Sequence, residues 1–185
     1  DRHEVKRWVA TLIAMPARRM KYGLLLTSVA QGTGKTTLYY ALKPLIGAWQ
    51  VNTPTENSVL SGYNGYLVDQ RLCFVNEIYS GQGFKAYNVL KDKITENEVT
   101  VSEKYVPEYK TDNRAHFILC SNSSRPIPVK SKDRRFLVPR VTEKLIPFEW
   151  WRDFYEWLNS VGPGIILHWA QEFVKEPGNA VPDGA

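Results

Sequence analysis

The chain is poor in the residues that build metal centres and disulfide scaffolds. Its 185 residues include two cysteines, two methionines and three histidines. Cys73 and Cys120 each lie inside an apolar run, and no second Cys or His stands at ligand spacing. That argues against a zinc site and predicts reduced core thiols in a cytoplasmic protein. His3, His116 and His168 are scattered. No stretch approaches the ~20 consecutive apolar residues that cross a bilayer, so no membrane partner is expected. No signal-peptide pattern opens the chain, and it has no internal repeats or low-complexity blocks. It begins at Asp1 inside a helical pattern, and the expectation is a fragment of a longer protein.

What is present suffices for a packed core. The composition is 43% hydrophobic and 12% aromatic, which excludes a disordered chain. The length fits one domain with at most a small appendage. Twenty-four basic against 19 acidic residues leave a net charge of +5, which permits a polyanionic partner without requiring one.

Periodicity assigns the elements. Val5, Trp8, Val9, Leu12 and Ile13 mark a helix over 4–15. Tyr22–Thr27 reads as a buried strand, followed by a glycine-rich turn and a helix over Thr36–Leu42 stopped by Pro44. Trp49–Asn52, Leu72–Val75, His116–Cys120 and Phe136–Val138 read as further strands, and Phe84, Tyr87, Leu90 and Ile94 as a helix. Residues 98–111 read as a hairpin with its turn near Pro107. Phe148, Trp151, Tyr155 and Leu158 mark one late helix; Ile165, Ile166, Trp169, Ala170 and Phe173 mark another. Strands alternating with helices predict an α/β fold with a parallel sheet. The expected organisation is a core over 1–140, a helical segment over 141–176 and a loose tail over 177–185.

Polar motifs follow the strands, where open α/β sheets bind ligands. Gly32-Thr33-Gly34-Lys35-Thr36 sits in the strand–turn–helix setting of a P-loop. Glycines let backbone N–H groups face phosphate oxygens. Lys35 would reach the β- and γ-phosphates of ATP, and the Thr36 hydroxyl would ligate Mg²⁺, with Thr37 next in the cradle. Val29 occupies the first glycine position of the motif. After the second strand, Glu77 stands where a carboxylate could activate water, and Asn76 where an acid often helps hold the metal. Asn122, after the third strand, could hold the attacking water or serve as a turn residue. Arg135, then Arg134, are candidates to stabilise phosphoryl charge across a subunit boundary; the plain alternative is a salt bridge with Asp133.

Together these motifs resemble superfamily 3 helicases, in particular the helicase part of phage and plasmid poxvirus-like primase-helicases. The resemblance runs from about Trp8 to Arg140. It is carried by Leu24–Thr37, Leu72–Ile78, Leu90–Thr95, Phe117–Asn122 and Asp133–Phe136. It implies an AAA+-like P-loop NTPase with a central parallel sheet, a β-hairpin insertion and C-terminal helices. It also implies a ring, usually hexameric, that hydrolyses ATP and translocates on single-stranded DNA. Lys35, Thr36, Glu77 and Asn122 would act from one subunit and Arg135 from the next. The hairpin over 98–111 matches the family's DNA-gripping element, with Lys104 and Tyr105 as the first candidates and Lys110 after them. A lysine can pair with phosphate and an adjacent aromatic can stack on a base; the plain alternative pairs Lys104 with Glu103 or Glu108. Two other activities stay open: a P-loop kinase for a small molecule, and an ATP-binding ring scaffold without turnover.

Overall fold

The computed structural model describes residues 2–78, 83–123, 127–130 and 132–185. Five strands form one wholly parallel sheet: β1 (Gly23–Thr27), β2 (Val51–Asn52), β3 (Leu72–Val75), β6 (His116–Ser121) and β7 (Phe136–Leu137), in the order β2-β3-β6-β1-β7. Parallel strands need crossovers, and these lay helices on both faces. One face carries α1 (Arg2–Ala14), α2 (Thr37–Ile46) and α6 (Gly162–Phe173). The other carries α3 (Glu56–Leu60) and α4 (Gly83–Thr95). Helix α5 (Phe148–Leu158) precedes α6.

The strands read as continuous apolar runs because alternate residues enter two different cores. Leu25, Cys73, Val75, Phe117 and Leu119 join one cluster. Leu24, Leu26, Phe74, Ile118 and Cys120 join the other. The two cysteines thus lie on opposite sheet faces and both are free. Burial pushes each thiol up to about 12.

Buried His116 sits at the start of β6. Its Nε2 accepts from the Met20 N–H at 3.1 Å, so the ring proton is on Nδ1, which donates to the Arg71 carbonyl at 3.0 Å. Burial, with the nearby Arg19 charge, lowers its pKa to about 3.

Four local expectations are corrected. Helix α2 runs through Pro44 to Ile46. Proline withdraws one N–H, but Leu42 and Ile46 are buried one turn apart and hold the last turn against the core. Only Val51–Asn52 of the second expected strand pairs, while Trp49 is exposed in a short 3₁₀ turn. The hairpin turns at Lys104-Tyr105, between β4 (Glu98–Glu103) and β5 (Val106–Asp112), where Tyr105 takes φ 66°. Pro107 lies within β5, the exposed strand of a two-stranded ribbon, where its missing donor is tolerated. The tail expected to be loose is tied down: Val181 is buried, its N–H donates to Thr11 Oγ1 at 2.9 Å, and Gly184 N–H donates to the Arg19 carbonyl at 2.7 Å.

Candidate functional site

The strand order brings the C-terminal ends of β3, β6 and β1 side by side. Asn76-Glu77, Asn122 and the loop after β1 therefore meet at one edge of the sheet. They line a cavity of about 430 Å³ with residues 31–37, Trp151 and Tyr155.

The loop's positive φ values fall on Gly32 (73°) and Gly34 (89°). Gly34 has a second reason to be glycine. A Cβ there would lie 2.5 Å from the Trp151 ring. Val29 needs no glycine: its side chain is exposed, and its N–H and that of Ala30 donate to the Glu143 carboxylate at 3.1 and 2.8 Å. Ser28 closes the loop from within. Its Oγ meets Thr33 Oγ1 at 2.9 Å, donates to the Ala30 carbonyl at 2.9 Å, and accepts from Lys35 Nζ at 2.5 Å.

Thr36 precedes α2 but does not cap it with its hydroxyl. That hydroxyl donates to Asn76 Oδ1 at 3.2 Å. Asn122 Nδ2 donates to Glu77 Oε1 at 3.2 Å. Thr37 Oγ1 meets the Tyr155 hydroxyl at 3.0 Å. The site thus holds one lysine, one carboxylate, three amides (Gln31, Asn76 and Asn122) and several hydroxyls around a bent backbone. Among the described residues no group of three His, Cys, Asp or Glu could hold a metal. Oxygen donors for a hard cation are confined to single side chains such as Thr36, Asn76 and Glu77.

Arg134 and Arg135 lie elsewhere. Phe136 pairs with Gly23 at the N-terminal end of β1, and Gly23 N–H donates to the Arg135 carbonyl at 2.9 Å. Both arginines are therefore at the sheet edge opposite the cavity. The Arg135 guanidinium contacts Asp133 Oδ1 and the Tyr87 hydroxyl, each at 3.4 Å, so the salt bridge with Asp133 is formed. Burial opposes ionisation of Asp133, but hydrogen bonds from Tyr87 and Arg135 outweigh it and lower its pKa.

Lys104, Tyr105 and Lys110 belong to the ribbon and are all exposed. Lys104 Nζ lies 5.9 Å from the centre of the Tyr63 ring, and no ion pair with Glu103 or Glu108 is found among the described residues. Asn57 of α3 lines both the depression under Lys104 and a second one reaching Asn76 and Glu77.

Sequence reasoning missed Glu143, Trp151 and Tyr155 as site residues. The spacing of Trp151 and Tyr155 signalled a helix face but not what that face meets, and Glu143 carries no local signal. Arg140 was also passed over; it bridges Thr27 at the cavity's end of β1.

A family model described as a family of unknown function (DUF5906) matches residues 26–135. The DNA primase-polymerase of Nitratiruptor phage NrS-1 is 29% identical over 136 residues, 70% of this chain and 19% of that protein. Two apo structures of the NrS-1 C-terminal region superpose with TM-scores of 0.69 and 0.68 at 25% and 26% identity. They match 99% and 92% of this chain and 43% and 40% of theirs. A JCV helicase structure matches 89% of this chain and 46% of its own with a TM-score of 0.52 at 19% identity, a likeness of fold alone. The chain is thus a relative of a phage primase-polymerase with a helicase-like fold, and it spans about a fifth of that curated relative's length.

Proposed function

Starting from the premise that this chain belongs to the family of unknown function DUF5906, we propose that it is the ATP-hydrolysing motor domain of a phage-type primase-helicase. Its fold reads as an AAA+-like P-loop NTPase of helicase superfamily 3. One observation carries this reading: a twice-bent glycine loop with its lysine meets a carboxylate–amide pair, Glu77 and Asn122, at one edge of a parallel sheet.

The backbone of Gly32–Thr37 cradles the phosphates of ATP, and the ammonium of Lys35 leaves Ser28 for a phosphate oxygen. Glu77 is the general base for water, and the Asn122 amide fixes the carboxylate's orientation. Thr36 and Asn76, already in contact, with Glu77 nearby, fit a hard divalent ion that takes few protein ligands. Mg²⁺ there would neutralise phosphate charge. Arg135, or Arg134, serves the site of a neighbouring copy, in keeping with its distance from its own cavity and with a hexameric ring. Lys104, Tyr105 and Lys110 hold single-stranded DNA.

The test is ATPase activity against protein concentration, with and without single-stranded DNA. Hydrolysis should rise faster than linearly with concentration. Lys35→Ala and Glu77→Gln should each lower turnover about 10²-fold or more. Undiminished turnover in both variants refutes the proposal. Tight ATP binding without phosphate release would favour a ring scaffold, for which Asn76 in place of an acid speaks.

A further inference from the structure

The cavity has two aromatic side chains that phosphate chemistry does not use. Glu77, Asn76 and Asn122 come from β3 and β6 and stand on one side of the loop. The ring of Trp151 and the ring of Tyr155 come from α5, which follows the last strand, and reach the loop near the start of α2. They lie one turn apart and so share a face of α5. Their planes differ by 32° with centroids 6.2 Å apart, and Tyr40 meets Tyr155 edge-on at 6.0 Å. The Trp151 ring is seated against Gly34, where a Cβ would have no room. Tyr155 is bonded to Thr37. Two aromatic side chains are thus pinned to the middle and the C-terminal end of the phosphate-binding turn, at Gly34 and Thr37, while still lining the cavity.

We propose that Trp151 and Tyr155 form the platform on which the nucleobase stacks, so that this site takes purine nucleoside triphosphates with little regard to which purine. The inference rests on the nucleotide reading above and deepens it. With the terminal phosphate directed to Glu77, the remainder of the ligand runs past Thr37 onto the two rings. Stacking rewards ring area and is indifferent to the pattern of donors and acceptors on the base edge. The two hydroxyls beside the rings, of Thr37 and Tyr155, hydrogen-bond each other, which commits one of their two O–H donors.

The experiment compares ATP, GTP, CTP and inorganic tripolyphosphate, each with Mg²⁺, by calorimetry on the wild-type chain, Trp151→Ala and Trp151→Phe. The wild type should bind ATP and GTP within about threefold of each other, and both more tightly than CTP or tripolyphosphate. Trp151→Ala should weaken ATP and GTP about tenfold or more while leaving tripolyphosphate within about twofold, and Trp151→Phe should restore most of the loss. Unchanged ATP affinity in Trp151→Ala overturns the inference. So does an equal loss for ATP and tripolyphosphate, which would make the ring a mere support for the loop. A gain for both, which would make it a plug, overturns it too, as does a preference for ATP over GTP of about 100-fold. A wild type that binds neither ATP nor tripolyphosphate refutes the nucleotide reading itself and this inference with it.

Discussion

Replacing Gly34 by alanine isolates the contact between the loop and α5. Two costs add. An L-residue at φ 89° carries left-handed strain of about 1–2 kcal/mol. The new Cβ would stand 2.5 Å from one Trp151 ring carbon and 3.1 Å from another. Ordinary carbon contacts begin near ~3.5 Å, so the ring must retreat by roughly 1 Å. It cannot do so freely, because Tyr155 one turn later is bonded to Thr37. Overpacking of this kind costs about 1–3 kcal/mol, and the sum is about 3 kcal/mol. At ~2–4 °C per kcal/mol for a domain of this size, the melting temperature should fall by about 6–12 °C.

Gly32 is the control. Its φ is 73°, but an added Cβ would meet only Leu145, at an ordinary 3.8 Å. Gly32→Ala should therefore cost about 1–2 kcal/mol and no more. The double variant Gly34→Ala/Trp151→Ala should show a favourable coupling, because removing the ring removes the collision and leaves the strain. Thermal melting and denaturant titration of these three variants and of Trp151→Ala, which closes the cycle, read these differences. Gly34→Ala melting no lower than Gly32→Ala, with no coupling to Trp151, would refute the reasoning.

Two further outcomes follow from named groups. Lys104→Ala should weaken single-stranded DNA binding and reduce the slope of log affinity against log salt by about 0.7, as loss of one phosphate contact requires; an unchanged slope removes Lys104 from the interface. His116 should make the fold acid-sensitive. Its folded pKa, about 3, lies below the ordinary 6.5, so the unfolded chain binds the proton more readily. Its contribution is complete above about pH 6.5 and is lost as pH falls toward about 3. Between pH 7 and pH 5 the loss should be about 2 kcal/mol, read as a fall in the urea midpoint. A His116→Gln variant with the same pH dependence as wild type would show that the buried ring is not the cause.

Most of the sheet was legible because buried parallel strands are short apolar runs. Leu72–Val75 and His116–Cys120 announce themselves, and the polar residues Asn76 and Asn122 fall where the chain leaves the sheet. The loop of Gly32–Thr36 was legible from its glycines, and the placement of Glu77 beside Asn122 followed once the strands were paired in the right order. Contacts made over long sequence separations were not legible. Glu143 reaches residues more than a hundred positions earlier, and Trp151 reads from sequence as one more apolar position on a helix. The tail was misjudged for the same reason: its Pro, Gly and Ala residues look unstructured, while what orders it is a buried threonine on the first helix. Helix α3 has only five residues, too few to show a period, and is marked mainly by Thr55 accepting from the Ser58 N–H at 3.2 Å.

The separation of Cys73 and Cys120 onto the two faces of the sheet has a practical side. Both are buried and hold their protons up to about pH 12. Alkylating dyes attack thiolates that they can reach, so the native chain should be silent to maleimide labelling while it stays folded. A cysteine placed at Tyr105, whose side chain stands clear of the rest of the molecule, would then be the only reactive thiol. A fluorophore there could follow the hairpin tip as ATP or single-stranded DNA is added, without any need to strip the native cysteines first.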